Sequence, residues 1–251
     1  MIAVLFLFNV KAFGTELFDA EFRQGRSRLP VRDRVLGIVL HGKGDSLQAY
    51  QELHQELRLP NIDLLLLNAP IKFLEGFKWM HDEPRHEKTL ATVRHLLFEL
   101  TAELRAFGYR TENIFWLGHS QGGRVIGDFL FHTNESFLGF VGVSTYIGFF
   151  DGWMNRNAAE GAWRTPWLLT HGIEDEIITL REIRADVREL GRGRVPLTYR
   201  EFSKGHDFDH DTEVPFIREW LLERVIGAKT PSLPKERSLR REPASPEGSP
   251  L

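Results

Sequence analysis

The chain has 251 residues, 42% hydrophobic and 27% charged, with a formal net charge of -3. That suits one ordinary globular domain with a sizeable core, and the near-balanced charge removes any global pull toward nucleic acid or an anionic membrane. The absence of cysteine excludes disulfides, thiolate zinc sites and a cysteine nucleophile.

Taken in chain order, the opening MIAVLFLF reads as a strand. No basic residue precedes its apolar run, and Asn9 and Lys11 end it, unlike a secretory signal. The arginines at 23, 26, 28, 32 and 34 alternate with Glu21 and Asp33, as on a solvated face. Six later runs read as strands: VLGIVL (35–40), IDLLLL (62–67), NIFWL (113–117), FLGFVGV (137–143), PWLLT (166–170) and PLTYREF (196–202). Unbroken apolarity marks central strands covered on both faces; the last run alternates, as nearer an edge.

Helical patterns lie between them. Leu90, Val93, Leu96, Leu97, Leu100, Leu104 and Phe107 form one stripe over 87–107, and Gly108 is a natural stop. Leu47, Tyr50, Leu53 and Leu57 form a weaker stripe, with Ser46 as N-cap. Helices are also expected over 123–132 and 211–226, the latter with Phe216, Ile217, Trp220 and Leu221 inward. Strands alternating with helices imply an α/β fold with a mostly parallel sheet and ligands at the carboxyl ends of its strands. The expected domain is 1–226. Residues 227–251 hold five of the twelve prolines and no aromatic residue, the composition of a disordered tail. No run reaches the length of a membrane-spanning helix.

Chemistry concentrates at strand ends. Gly118-His119-Ser120-Gln121-Gly122 has the G-x-S-x-G pattern between a strand and a helix, where glycines permit a sharp turn that exposes Ser120. Asp175, flanked by Glu174 and Glu176, follows the strand PWLLT, and His206 follows PLTYREF, with His210 as its rival. The order Ser, Asp, His is that of a nucleophile, orienter and base on such a sheet. The loop LHGKGDS (40–46) follows VLGIVL, so the backbone N–H groups of Lys43 and Gln121 are the candidate oxyanion donors. His41 reads as a loop-shaping residue. GKGDS lacks the spacing of a phosphate-binding P-loop.

These landmarks resemble the phospholipase/carboxylesterase family of α/β-hydrolases, which includes acyl-protein thioesterases. LHGKGDS, LLLNAP, GHSQGG, GVSTYIG, THGIEDEII and the Gly-His of SKGHDF follow that family's order over about 35–226. The chain departs from it at Lys43, usually apolar, at Ser144-Thr145, usually Ser-Gly, and in the long segment 72–88. The resemblance implies an α/β-hydrolase fold and a serine hydrolase of carboxylic esters or thioesters, with carboxylesterase, acyl-protein thioesterase or lysophospholipase activity. It implies catalysis by Ser120, Asp175 and His206 without metal or cofactor. A peptidase, a polyester depolymerase and a catalytically silent binding protein are the alternatives.

Two aromatic clusters are candidate acyl-pocket walls: Phe73, Phe77, Trp79 and Met80, then Phe149, Phe150, Trp153 and Met154. The expected partner is a small acyl ester or thioester rather than nucleic acid. The expected state is a monomer or weak homodimer in the cytoplasm.

Overall fold

The computed structural model describes residues 17–57, 59, 62–82, 85–148 and 158–229. The opening run 2–8, the cluster at Phe149 to Met154 and the chain from 230 onward lie outside the described residues.

A seven-stranded sheet has the order β1-β3-β2-β6-β7-β8-β9. Its strands are β1 (Ala20–Arg23), β2 (Val35–Leu40), β3 (Ile62–Leu67), β6 (Ile114–His119), β7 (Gly139–Val143), β8 (Trp167–Gly172) and β9 (Leu197–Phe202). Only β1 runs antiparallel to its neighbour; the other pairs are parallel. The short β4 (Ile71–Phe73) and β5 (Gly76–Lys78) form a separate hairpin. Among the described residues the helices are α1 (Leu53–Glu56), α2 (His86–Phe107), α3 (Gln121–His132), α4 (Glu160–Arg164), α5 (Leu180–Arg192) and α6 (Glu213–Lys229).

All six residues of β2, β3, β6 and β8 are buried, because both sheet faces are covered. One face packs Leu36, Ile38, Leu65 and Trp116 against α2, α3 and α5. The other packs Val39, Leu64, Phe115 and Leu168 against Leu47–Leu59 and α6. A parallel strand buried on both faces has no reason to alternate. β9 lies at the sheet edge and is mostly half-buried, as its alternation implies.

The elements extend the sequence reading by a few residues. β6 and β8 run two residues further and carry His119 and Gly172. Gly108 closes α2 with φ 118°, a left-handed conformation that suits glycine. Ser46 does not cap a helix with its side chain. A 3-10 turn, Leu47–Tyr50, intervenes before the short α1, and the Leu47 N–H is taken by Asn68 Oδ1 at 2.8 Å. The final helix continues to Lys229, three residues past the expected domain end. Among the described residues no helix is long and apolar enough to cross a membrane.

β1, α4, α5 and the hairpin β4–β5 were not expected. α5 is amphipathic and opens on a capping box in which Thr179 and Glu182 satisfy each other's backbone N–H. The hairpin β4–β5 spans 71–78, at the start of the long segment 72–88, and docks on the loop after β2. The Gly44 N–H donates to Phe77 O at 2.7 Å and the Phe77 N–H to Asp45 O at 2.8 Å. A Cβ at Gly76 would stand 2.3 Å from Gly44 O, so glycine there permits the approach.

Candidate active site

Ser120 sits between β6 and α3 with φ 49° and ψ -118°, outside the regions a serine adopts without strain. Its neighbours enforce the turn. A Cβ on Gly118 would stand 2.5 Å from Gly123 N, and one on Gly122 would stand 2.4 Å from Leu40 O. The Ser120 N–H donates to Val143 O at 2.9 Å, and Thr145 Oγ1 donates to Ser120 O at 2.7 Å. The result is a half-exposed serine at the carboxyl end of the sheet, at the opening of a helix. The departure from Ser-Gly to Ser144-Thr145 therefore adds a bond to the turn.

Asp175 and His206 meet across the loops after β8 and β9, with Asp175 Oδ2 2.8 Å from His206 Nδ1. The Asp175 side chain is buried, whereas Glu174 and Glu176 are exposed. Asp175 Oδ1 accepts the N–H groups of Ile177 and Ile178, each at 2.9 Å. Burial alone would raise its pKa. The Ile178 N–H, the His206 contact and the Ile177 N–H outweigh burial and hold the carboxyl below the usual carboxylate range. An ionised carboxylate only accepts, so the proton of a neutral His206 sits on Nδ1 and Nε2 keeps a lone pair. The rival His210 is exposed and pairs with Glu56 at 3.1 Å.

Three buried histidines brace these loops. His41 Nε2 accepts the Ala69 N–H at 3.0 Å, so its proton is on Nδ1, which donates to Gly42 O at 2.6 Å. His171 Nε2 donates to Ile178 O at 2.8 Å, fixing the turn that presents Asp175. His119 Nε2 donates to His206 O at 3.0 Å, and its Nδ1 accepts from the Tyr50 hydroxyl at 3.0 Å. Burial pushes all three imidazoles down, His119 to about 4, so each stays neutral with one donor and one acceptor. His119 therefore ties the serine turn to the His206 loop.

A buried ion pair completes the support. Lys204, two residues before His206, donates to Glu213 Oε2, Ser144 Oγ and Asp207 O, each at 2.9 Å. It pins the His206 loop to the start of α6 and the end of β7. Sequence reasoning missed Lys204, Glu213, Ser144 and Tyr50. A buried charge has no signature in local sequence, although a lysine beside the candidate His was visible.

Among the described residues the N–H groups of the two expected oxyanion donors meet no acceptor. The first N–H of a helix has no intrahelical acceptor, and Gln121 opens α3. In the loop after β2, Gly44 and Asp45 give their N–H groups to Phe77 O and Gly42 O. Among the described residues the Lys43 N–H meets no acceptor. The Lys43 ammonium turns to Asp82 at 2.7 Å.

A cavity of about 400 Å³ adjoins Gln121 and is lined by Met80, His81, Asp82, His86, Arg124, Tyr146 and Gly148. Of the aromatic wall expected from residues 73–80, only Met80 lines it. Trp79 is fully buried: its Nε1 donates to His41 O at 2.8 Å and its N–H to Gln121 Oε1 at 2.7 Å. It is a core residue that ties the loop after β2 to the start of α3. Phe73 and Phe77 lie on the hairpin, under the ammonium groups of Lys78 at 4.7 Å and Lys72 at 4.5 Å respectively. Phe149 and Trp153 lie outside the described residues.

Residues 30–190 match the family described as phospholipase/carboxylesterase. A protein from Arabidopsis thaliana named probable carboxylesterase SOBER1-like is 24% identical over 156 residues, 59% of this chain and 56% of that relative's length. The chain thus spans little more than half of that relative. The crystal structure of Arabidopsis thaliana SOBER1 superposes with a TM-score of 0.65 at 23% identity, over 76% of this chain and 99% of that one. The structure of esterase PE8 superposes with a TM-score of 0.71 at 18% identity, over 82% and 98%. At these identities the structural likeness speaks for the fold alone.

Proposed function

The chain belongs to the phospholipase/carboxylesterase family, and from that premise we propose that it is a serine hydrolase of small carboxylic esters or thioesters. The observation that carries this reading is the arrangement at the strand ends. Ser120 occupies a strained turn after β6, and a buried carboxylate holds His206 through Nδ1 at 2.8 Å after β9.

In the proposed cycle His206 Nε2 takes the Ser120 hydroxyl proton as Oγ attacks the carbonyl carbon. Asp175 fixes the imidazole tautomer and stabilises the imidazolium that forms. The Lys43 and Gln121 N–H groups receive the developing oxyanion; each such donor contributes about 3 kcal/mol to lowering the barrier. His206 then protonates the leaving alcohol or thiol, giving an acyl-Ser120 intermediate. A water molecule attacks that ester with His206 again as base, releasing the acid and restoring the hydroxyl. The chain's own groups and water balance every step. Acyl-protein thioesterase and lysophospholipase activities are the finer forms of this reading, and parallel oxygen-ester and thioester substrates separate them.

Ser120→Ala is the test. It is expected to lower kcat/KM on a p-nitrophenyl ester by at least about 10³-fold with the fold retained. Full activity in that variant would refute the proposal.

A further inference from the structure

We infer that the cavity adjoining Gln121, the residue after Ser120, selects esters bearing a carboxylate, with Arg124 as the group that recognises it. The inference rests on the proposed nucleophile.

Arg124 and Ser120 are four residues apart across the first turn of α3, and the Arg124 N–H donates to Ser120 O at 3.2 Å. That bond places Arg124 one turn into α3 from Ser120, which caps the helix. Arg124 is half-buried and lines the cavity with Gln121. Its guanidinium makes no hydrogen bond or ion pair among the described residues. Arg124 acts on the nearby Asp128 through space only, without a hydrogen bond or ion pair to it. Asp128 receives Arg94 Nη1 at 2.9 and 3.2 Å and also faces His132.

The remaining lining points the same way. Asp82, the one carboxylate among its described lining residues, is met by the ammonium groups of Lys43 at 2.7 Å and Lys78 at 3.5 Å. Burial, foremost, raises the pKa of Tyr146, which keeps its hydroxyl a donor. Gly148 stands beside the arginine with φ 70°, and a Cβ there would come within 3.3 Å of Arg124 Nε. The backbone N–H groups of Ile147 and Gly148 are tied to Asp186 at 2.7 and 3.2 Å, so this wall is anchored. An arginine held open in a partly enclosed space, beside a hydroxyl donor and a neutralised carboxylate, favours a planar anion that accepts two N–H groups.

The experiment compares matched substrates on the full chain. One arm sets the mono-p-nitrophenyl ester of adipic acid against p-nitrophenyl hexanoate, placing the carboxylate on the acyl chain. The other sets 4-carboxyphenyl butanoate against 4-carbamoylphenyl butanoate, placing it on the leaving group. In at least one arm kcat/KM should favour the anion by about tenfold. That ratio should shrink with added salt, collapse in Arg124→Gln and survive in part in Arg124→Lys. The arm that responds says which side of the ester the cavity holds. A ratio unchanged by Arg124→Gln, or no anionic preference in either arm, overturns the inference. If Arg124→Gln fails to fold, the salt response of the wild-type ratio decides it alone. Loss of preference with hydrolysis still dependent on Ser120 defeats only the Arg124 assignment. Hydrolysis indifferent to Ser120→Ala defeats the nucleophile.

Discussion

The two sides of Ser120 are built differently. On the His206 side, Asp175, His119, His171, Lys204 and Glu213 are buried and bonded to one another or to backbone. On the cavity side, Lys43, His81, Asp82 and Arg124 are half or fully exposed. A polar group taken from water must be satisfied in a defined geometry, which fixes the loops that carry it. An exposed charge fixes little. One side thus fixes the geometry of the proposed proton transfer, and the other leaves room for the proposed substrate choice.

The largest expected effect falls on the buried side. Asp175→Asn keeps the shape of the loop but offers an amide to His206 Nδ1, favouring the wrong tautomer. The expected loss in kcat is about 10⁴-fold, read in steady-state kinetics, with the urea midpoint little moved. A loss under tenfold would break the claim that Asp175 sets the proton's place.

Next come the two lysines, one on each side. Lys204→Met leaves Glu213 buried without its cation and is expected to cost about 3–5 kcal/mol of stability by urea unfolding. Removing both charges, with Lys204→Met and Glu213→Leu together, should recover part of that loss. Lys43→Met, at an exposed pair with Asp82, should leave the midpoint unchanged within error. Equal effects of the two single changes would erase the contrast.

The third effect depends on pH. The His119 pKa falls from 6.5 in the unfolded chain to about 4 in the fold, chiefly by burial. Between those values the unfolded state binds the proton and the folded state does not. Stability is therefore full above about pH 6.5 and declines toward pH 4, by about 3 kcal/mol from this residue alone. His41 and His171 shift in the same direction. His119→Gln should flatten the decline, and unfolding curves between pH 7.5 and 4.5 check it.

The same contrast explains what the sequence could disclose. Ser120, Asp175 and His206 were legible because each follows an apolar run whose carboxyl end must lie on one edge of a parallel sheet. His41 was legible as a loop-shaper because it follows β2. The helix 180–192 was not legible as an apolar stripe, because it buries only Ile183, Asp186 and Leu190, although Thr179 and Glu182 spell a capping box. Lys204, Ser144 and Glu213 were not legible. Lys204 and Ser144 are 60 residues apart and meet only once β7 and the loop after β9 are set side by side. Trp79 was not legible as a core residue for a related reason. Trp79 satisfies its indole N–H on His41 O inside the core, and apolarity alone does not distinguish a core residue from a pocket residue.

The central claim is that Ser120 carries the acyl group. Rapid acid quench during turnover of p-nitrophenyl acetate, followed by peptide mass spectrometry, tests it most directly. The account predicts one acetyl group on the peptide that contains Ser120, formed in a burst and absent in Ser120→Ala. Acetyl on another residue with the same burst, or turnover that persists without Ser120, would contradict it.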